Sequence, residues 1–124
     1  MGGCWEFSLE PVQAPYITRE LPYTAILQFP YKQNERILDV AVWEELGARY
    51  DHTLNFSTCW RIKPVHRVPA RDFQLQIGQV PQGFTQIIPA DGEQFTPKPG
   101  GKYALAIRTT NKRARYGTWW APAK

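Results

Sequence analysis

The sequence predicts an all-β protein, folded as one antiparallel β-sandwich of about seven or eight strands over residues 1–124. Eleven prolines and nine glycines divide the chain into short pieces, and a helical bundle would not tolerate that spacing. Between these breaks apolar and polar residues alternate, as they do in strands that bury one face. The hydrophobic content of 43% supplies a core and argues against disorder.

Four strands are predicted in the first half of the chain, at residues 5–10, 23–29, 37–43 and 54–62. Prolines bound the first two strands and limit their length. The third continues into residues 44–46, which are interpreted either as more strand or as a short helical turn before Gly47. The fourth places its large apolar side chains, Trp60 among them, on one face, with Cys59 and Arg61 on the other.

Four more strands are predicted in the second half, at residues 73–77, 84–88, 103–109 and 116–120. The first of these has the cleanest alternation in the chain, FQLQI, and the second follows a Pro-Gln-Gly turn. The last two are joined by a basic loop around Asn111, so we expect them to form a hairpin.

The turn before residue 103 indicates a particular architecture. Residues 95–107 read FTPKPGGKYALAI, in which a Pro-x-Pro-Gly-Gly turn leads to Tyr103 at the start of a strand. This stretch resembles the tyrosine corner of fibronectin type III and immunoglobulin-like domains. The resemblance implies that Pro99 and Gly100 shape the turn and that the Tyr103 hydroxyl bonds to the backbone just upstream. It also implies that Trp60 is the core tryptophan, although no cysteine pair flanks it at the spacing of an immunoglobulin disulfide.

The net charge of +4 is unevenly distributed along the chain. Residues 1–60 hold four Lys or Arg against eight Asp or Glu. Residues 61–90 hold four against one, and residues 91–124 hold seven against two. The basic second half can meet the acidic first half inside the fold, or it can leave a basic face for an acidic partner.

No arrangement of residues predicts catalysis, a metal site or a cofactor. The two histidines, His52 and His66, lie in predicted loops and belong to no nucleophile motif. Glu44 and Glu45 are adjacent, so on a strand they would point to opposite faces instead of converging as a carboxylate pair. The two cysteines form no CxxC or Cys/His cluster. We therefore expect a protein that is not an enzyme and that uses no cofactor or metal.

The strongest binding candidate is RTTNKRARYGTWW, at residues 108–120, which combines four basic residues with three aromatic ones. Arginine and tryptophan are enriched where protein interfaces derive most of their binding energy. On a strand, Trp119 and Trp120 would face opposite sides, so that one enters the core and the other is exposed or covers an edge. The alternative is a solvated hairpin tip with Trp119 packed on a loop. The predicted partner-binding residues are Arg108, Lys112, Arg113, Arg115, Tyr116 and Trp119.

The amino terminus, Met1-Gly2-Gly3-Cys4, resembles the end of a bacterial lipobox, in which a small residue precedes a lipidated cysteine. This resemblance implies a periplasmic protein that is held at the membrane through a lipid on Cys4. Two alternatives stay open. Cys4 is a free thiol of a cytoplasmic protein, or it forms a disulfide with Cys59, which would also indicate an oxidising compartment.

These observations favour a non-enzymatic protein-binding domain. A short β-sandwich that begins near a lipidation-like cysteine is similar in layout to the small periplasmic lipoproteins proposed as immunity factors in type VI secretion clusters. That similarity implies that the partner is a toxin, which the protein would bind and neutralise. One alternative is an accessory or assembly subunit of an envelope or secretion complex. Another is a domain that stacks single-stranded nucleic acid on aromatic side chains, although the acidic first half would repel phosphate.

Overall fold

The computed structural model describes residues 12–19, 23–27, 34–48, 54–111 and 115–122. Every regular element in these ranges is a β-strand, so the prediction of an all-β protein is confirmed. The strands are β1 (Val12–Gln13), β2 (Tyr16–Ile17), β3 (Thr24–Ile26), β4 (Ile37–Ala48), β5 (Leu54–Pro64), β6 (Gln74–Gln76), β7 (Phe84–Ile88), β8 (Tyr103–Thr109) and β9 (Arg115–Trp120).

The strands form two sheets, an arrangement that fits the predicted β-sandwich. The larger sheet has the order β1-β9-β8-β4-β5-β7, and the smaller one has the order β2-β3-β6. All neighbouring strands are antiparallel except β1 and β9, which run parallel along one edge of the larger sheet. The long strands β4 and β5 therefore lie side by side in the middle of the larger sheet, with β8 on the other side of β4.

Most strand predictions agree with the structure, and the differences have local causes. The predicted strands at 84–88 and 103–109 coincide with β7 and β8, whereas the one at 5–10 lies outside the described residues. The alternative of a helical turn at 44–46 is wrong, because β4 runs on through these residues and Glu44 pairs with both β5 and β8. Strands β1 and β2 were not predicted, because two residues are too few to show an alternating pattern.

The hydrophobic core lies between the two sheets, and Trp60 is at its centre. Trp60 has no exposed surface, and its ring stacks on Phe95 at a centroid distance of 6.1 Å. Its indole N–H donates a hydrogen bond to Oε1 of Gln86, 3.0 Å away. Trp60 is therefore a fully buried core residue. The cluster includes Ala25 and Leu75 on the smaller sheet, Tyr23, Leu27, Phe73 and Ile77 at the ends of the same two strands, and Val40, Val42, Ile62, Leu105 and Ile107 on the larger sheet.

Aromatic rings extend this core from Trp60 toward the end of the chain. Phe95 meets Tyr103 edge to face at 5.9 Å, and Tyr103 meets Trp120 at 5.0 Å. Trp120 in turn meets Tyr23 edge to face at 5.4 Å. Such pairs contribute about 0.5–1.5 kcal/mol each beyond the burial of apolar area. Trp120 enters the core, with 8% of its surface exposed.

The turn before β8 has the predicted corner geometry. The backbone N–H of Lys98 donates a hydrogen bond to the Tyr103 hydroxyl over 2.7 Å, as the tyrosine-corner prediction requires. Gly100, which follows Pro99 in this turn, has a φ of 77°, a conformation that residues with a side chain rarely adopt. At Gly101 a Cβ atom would lie 2.9 Å from the Tyr103 ring, so the ring packs directly on glycine backbone. The corner is thus held by one hydrogen bond and by close packing.

Candidate functional site

The outer face of the larger sheet carries Arg108, one of the predicted partner-binding residues. Val40 is fully buried in the core, so its neighbours Asp39 and Ala41 point to the opposite, outer face. The register pairs Asp39 with Arg108 on β8, and Ala41 with Arg61 on β5. Arg61 is therefore the diagonal cross-strand neighbour of Asp39, within reach of its long side chain.

These three charged residues form a single cluster, which we call the arginine–aspartate cluster. Oδ2 of Asp39 accepts a hydrogen bond from Nη2 of Arg61 at 2.9 Å and another from Nη2 of Arg108 at 2.8 Å. Only 9% of the Asp39 side chain is exposed, against 36% for Arg61 and 59% for Arg108. The carboxylate therefore lies beneath two guanidinium groups and holds them at the surface, where they present a net positive charge.

The protonation states of this cluster follow from its contacts. Burial alone would raise the pKa of Asp39, but hydrogen bonds from Arg108 and Arg61 outweigh burial and hold that pKa below its ordinary value of 3.8. The hydrogen bond to Asp39 raises the pKa of Arg108 above its ordinary value. Asp39 is therefore ionised at neutral pH. One carboxylate beneath two arginines leaves the cluster with one uncompensated positive charge.

The decline of the free energy of unfolding at acid pH should depend on the ion pairs of this cluster. Because the folded-state pKa of Asp39 is lowered, its stabilising contribution is present above the unfolded pKa of about 3.9 and is lost as the pH falls through the lower folded value. Urea unfolding between about pH 5 and pH 2.5 should therefore show a shallower decline for Asp39→Asn than for the wild type. The same change at exposed Asp91 is the control and should leave the decline unaltered. Equal slopes for Asp39→Asn and the wild type would contradict the assignment.

Small residues form the rest of the outer face beside the cluster. Ala41 pairs with Ala106 on β8, which pairs in turn with Gly117 on β9. The next row begins with half-buried Trp43, which pairs with Ala104. Ala41 is only 5% exposed and Gly117 is buried, so these two residues offer little surface to a partner. The row of small residues lies between Trp43 and the arginine–aspartate cluster, and Arg108 supplies the most exposed side chain of that cluster.

The structure separates the predicted partner-binding residues. Arg108 is exposed on the outer face, in the arginine–aspartate cluster. Lys112 and Arg113 lie outside the described residues. Arg115 and Trp119 belong to β9, where Trp119 pairs in register with Ala104, but their side chains are outside the described part of the structure.

Tyr116, predicted to bind a partner, is instead a core residue with 2% of its surface exposed. It pairs in register with the buried residue Ile107, so the pleat of the sheet turns its ring inward. Its hydroxyl donates a hydrogen bond of 2.7 Å to Oε2 of Glu35, and the Thr109 hydroxyl donates one of 2.6 Å to the same oxygen. Glu35 is 4% exposed, so this carboxylate anchors β8 and β9 to the segment that precedes β4.

Sequence reasoning missed Asp39 and Arg61 as site residues. The alternating pattern places Arg61 on the face opposite Trp60, which agrees with the structure. Nothing in the pattern shows that β4 lies between β5 and β8, and only that order brings Arg61 and Arg108 to one carboxylate. Exposed Lys63, two residues along β5 from Arg61, adds a further positive charge to the same face.

The cysteine and histidine residues that the structure describes show no reactive arrangement. Cys59 is a half-buried free thiol at an irregularity in β5, so the alternative of a disulfide with Cys4 finds no support. Its Sγ atom lies 3.4 Å from the carbonyl oxygen of Val42. Burial raises the pKa of the Cys59 thiol to about 11, with a further contribution from Glu44, so the thiol stays protonated at neutral pH. His66 is exposed, whereas Cys4 and His52 lie outside the described residues.

Three further findings bear on the class of the protein. In the described ranges, no group of three or more His, Cys, Asp or Glu residues is placed to hold a metal ion. The same residues contain no helix that is long and apolar enough to cross a membrane. Comparison of the chain with models of protein families, with curated proteins and with solved structures found no match.

Proposed function

We propose that this chain is a non-enzymatic protein-binding domain whose contact surface is the outer face of the larger sheet. The observation that carries the proposal is the arginine–aspartate cluster. Its carboxylate fixes two guanidinium groups before any partner arrives, which reduces the entropy lost on binding. Arginine is enriched at the centres of protein interfaces and pairs well with carboxylates. The cluster therefore suits an acidic patch on a partner protein.

A nucleic-acid ligand is less well supported by the same face. Nonspecific binding of single strands combines cations with exposed aromatic rings on which bases stack. Tyr116, one of the aromatic residues that suggested stacking, is buried in the core.

We infer that the sandwich is of the immunoglobulin-like or fibronectin-III-like type. Support comes from the tyrosine corner at Tyr103 and from the strand order β9-β8-β4-β5, which parallels the G-F-C-C′ order of variable-type domains. The pairing of β7 with β5 and the small three-stranded second sheet depart from that pattern.

The biological version of this function that we propose is neutralisation of a toxin in the bacterial periplasm, with Cys4 as the point of lipid attachment. It is supported by the resemblance of the amino terminus to a lipobox and by a preformed basic surface for a protein partner. The same surface would serve an accessory subunit of an envelope complex. The identity of the captured partner distinguishes these two versions.

Binding should depend on Arg108 much more than on an arginine elsewhere. The partner is first captured from an extract of the source organism, identified by mass spectrometry and purified. Arg108→Gln should then raise the Kd by about tenfold or more, because it removes an interfacial guanidinium group. Arg71→Gln, which removes an exposed arginine outside this face, should change the Kd by less than about twofold.

Calorimetric titration gives the two Kd values, and circular dichroism confirms that both variants are folded. An unchanged Kd for Arg108→Gln would exclude the outer face as the contact surface. Capture of single-stranded nucleic acid, with affinity that falls steeply as salt rises, would favour the nucleic-acid alternative.

A further inference from the structure

A second concentration of positive charge lines a groove at one end of the molecule. The groove lies where residues 34–36 run beside residues 67–69, and its volume is about 540 Å³. Backbone bonds fix the two segments to each other: the Ile37 N–H donates to the Val68 carbonyl over 2.8 Å, and the Ala70 N–H donates to the Glu35 carbonyl over 2.9 Å. The lining residues are Asn34, Glu35, Arg36, Arg67 and Pro69.

A third segment holds the same end of the molecule in place. The Arg36 N–H donates a hydrogen bond to Oγ1 of Thr110 over 3.0 Å, and the Thr110 N–H donates one back to the Arg36 carbonyl over 2.9 Å. Arg36 also forms an isolated β-bridge with Pro69. The backbone at Arg36 is therefore bonded on both sides, and the groove is preformed.

The two arginines of this groove are not neutralised by the residues that the structure describes. Ion pairs in the described ranges involve Arg61, Lys98, Lys102 and Arg108, and neither Arg36 nor Arg67 takes part in one. The nearest carboxylate in sequence, Glu35, is buried and accepts hydrogen bonds from the Thr109 and Tyr116 hydroxyls. Arg36 is half-buried and Arg67 is exposed. An arginine without a counter-charge leaves its guanidinium donors available to an incoming anion.

We propose that this groove binds carboxylate side chains of an acidic segment on the partner protein. The inference rests on the proposed protein-binding function and names the chemistry that the partner must offer. A guanidinium group donates two parallel hydrogen bonds to a carboxylate, and the groove is large enough for a few side chains. Asn34 at the rim supplies an amide for the peptide backbone. Among the described residues that line the groove none is aromatic, so these residues offer no ring on which a base could stack.

The groove also extends the proposed contact surface. Arg108 and Arg36 are linked through consecutive residues of one segment, because Arg36 is bonded to Thr110. The groove therefore lies beside the carboxyl-terminal end of β8, the strand that carries Arg108.

The test uses a fluorescein-labelled oligo-glutamate peptide and the full chain, with fluorescence anisotropy as the readout at low and at high salt. Replacing Arg36 and Arg67 together by glutamine should raise the Kd of the peptide by about tenfold or more at low salt. The matched control replaces Arg19 and Arg71, two exposed arginines outside the groove, in the same way. This control removes the same net charge and therefore measures the nonspecific electrostatic contribution to binding. It should raise the Kd by only about two- to threefold.

Three results would overturn the inference. The first is that the wild type does not bind the peptide at low salt. The second is that the Arg36/Arg67 and Arg19/Arg71 double variants weaken peptide binding equally. The third is that the groove binds an oligo-deoxythymidine strand more tightly than the peptide. A third double variant, with Arg61 and Arg108 both replaced by glutamine, separates the two proposals. Suppose that the Arg61/Arg108 variant does not bind the captured partner, whereas the Arg36/Arg67 variant binds both the partner and the peptide as the wild type does. The groove inference then fails and the proposed function stands. If neither variant weakens partner binding, the proposed function fails.

Discussion

Replacing Trp60 with alanine is expected to lower the free energy of unfolding by about 3–5 kcal/mol. Trp60 has no exposed surface, so truncating its side chain leaves a cavity in the core. The change also removes the stacking partner of Phe95. In addition, Oε1 of Gln86 loses the hydrogen bond that the Trp60 indole N–H donates to it. A loss of this size is a large part of the stability of a domain of this length.

Urea unfolding followed by circular dichroism measures this effect, with Trp43→Ala as the matched control. Trp43 lies on the same sheet, but it is half-buried and faces outward, so its loss should cost markedly less. If Trp60→Ala does not fold, the milder change Trp60→Phe keeps an aromatic ring and should still destabilise by about 1–3 kcal/mol. A cost for Trp60→Phe no greater than that for Trp43→Phe would show that Trp60 is not the centre of the core.

Replacing Glu35 with alanine is expected to cost about 3 kcal/mol or more, although it removes only one methylene group of apolar material. Oε2 of Glu35 accepts hydrogen bonds from the Thr109 and Tyr116 hydroxyls, and all three side chains are buried. Without the carboxylate, both hydroxyl groups lose this acceptor in a place where water does not replace it readily. These bonds join residues 74 and 81 positions apart in the chain, so their loss also frees one end of the sandwich.

A double-mutant cycle tests this role more sharply than the single change. Glu35→Gln keeps one oxygen acceptor and should cost less than Glu35→Ala, whereas Tyr116→Phe removes one donor and little volume. The coupling energy between Glu35→Ala and Tyr116→Phe should be about 1 kcal/mol or more, because each change removes the same hydrogen bond. Tyr16→Phe removes an exposed hydroxyl and should show no coupling to Glu35. Additive effects for Glu35 and Tyr116 would contradict the bond.

The local sequence predicts the burial of Trp60 but not the burial of Glu35 or Tyr116. The strand of Trp60 alternates clearly, so its burial followed from the period of a strand. Glu35 lies in no alternating run, and a charged residue is seldom expected in a core. Its burial depends on two hydroxyl groups supplied by β8 and β9, far along the chain. The same distant contacts place Tyr116 inside, against the prediction that it would bind a partner.

The sequence by itself determined the all-β class, the two strands at 84–88 and 103–109, and the corner at Tyr103, because each depends on residues close together in the chain. Only the tertiary structure decided the strand order, which sets Asp39 between Arg61 and Arg108. It also brought Arg36 beside the segment of Arg67 and so formed the groove. Strand period tells which face a side chain occupies, but not which strand lies next to it. The site is made from residues on neighbouring strands, and the packing of the whole chain determines which strands are neighbours.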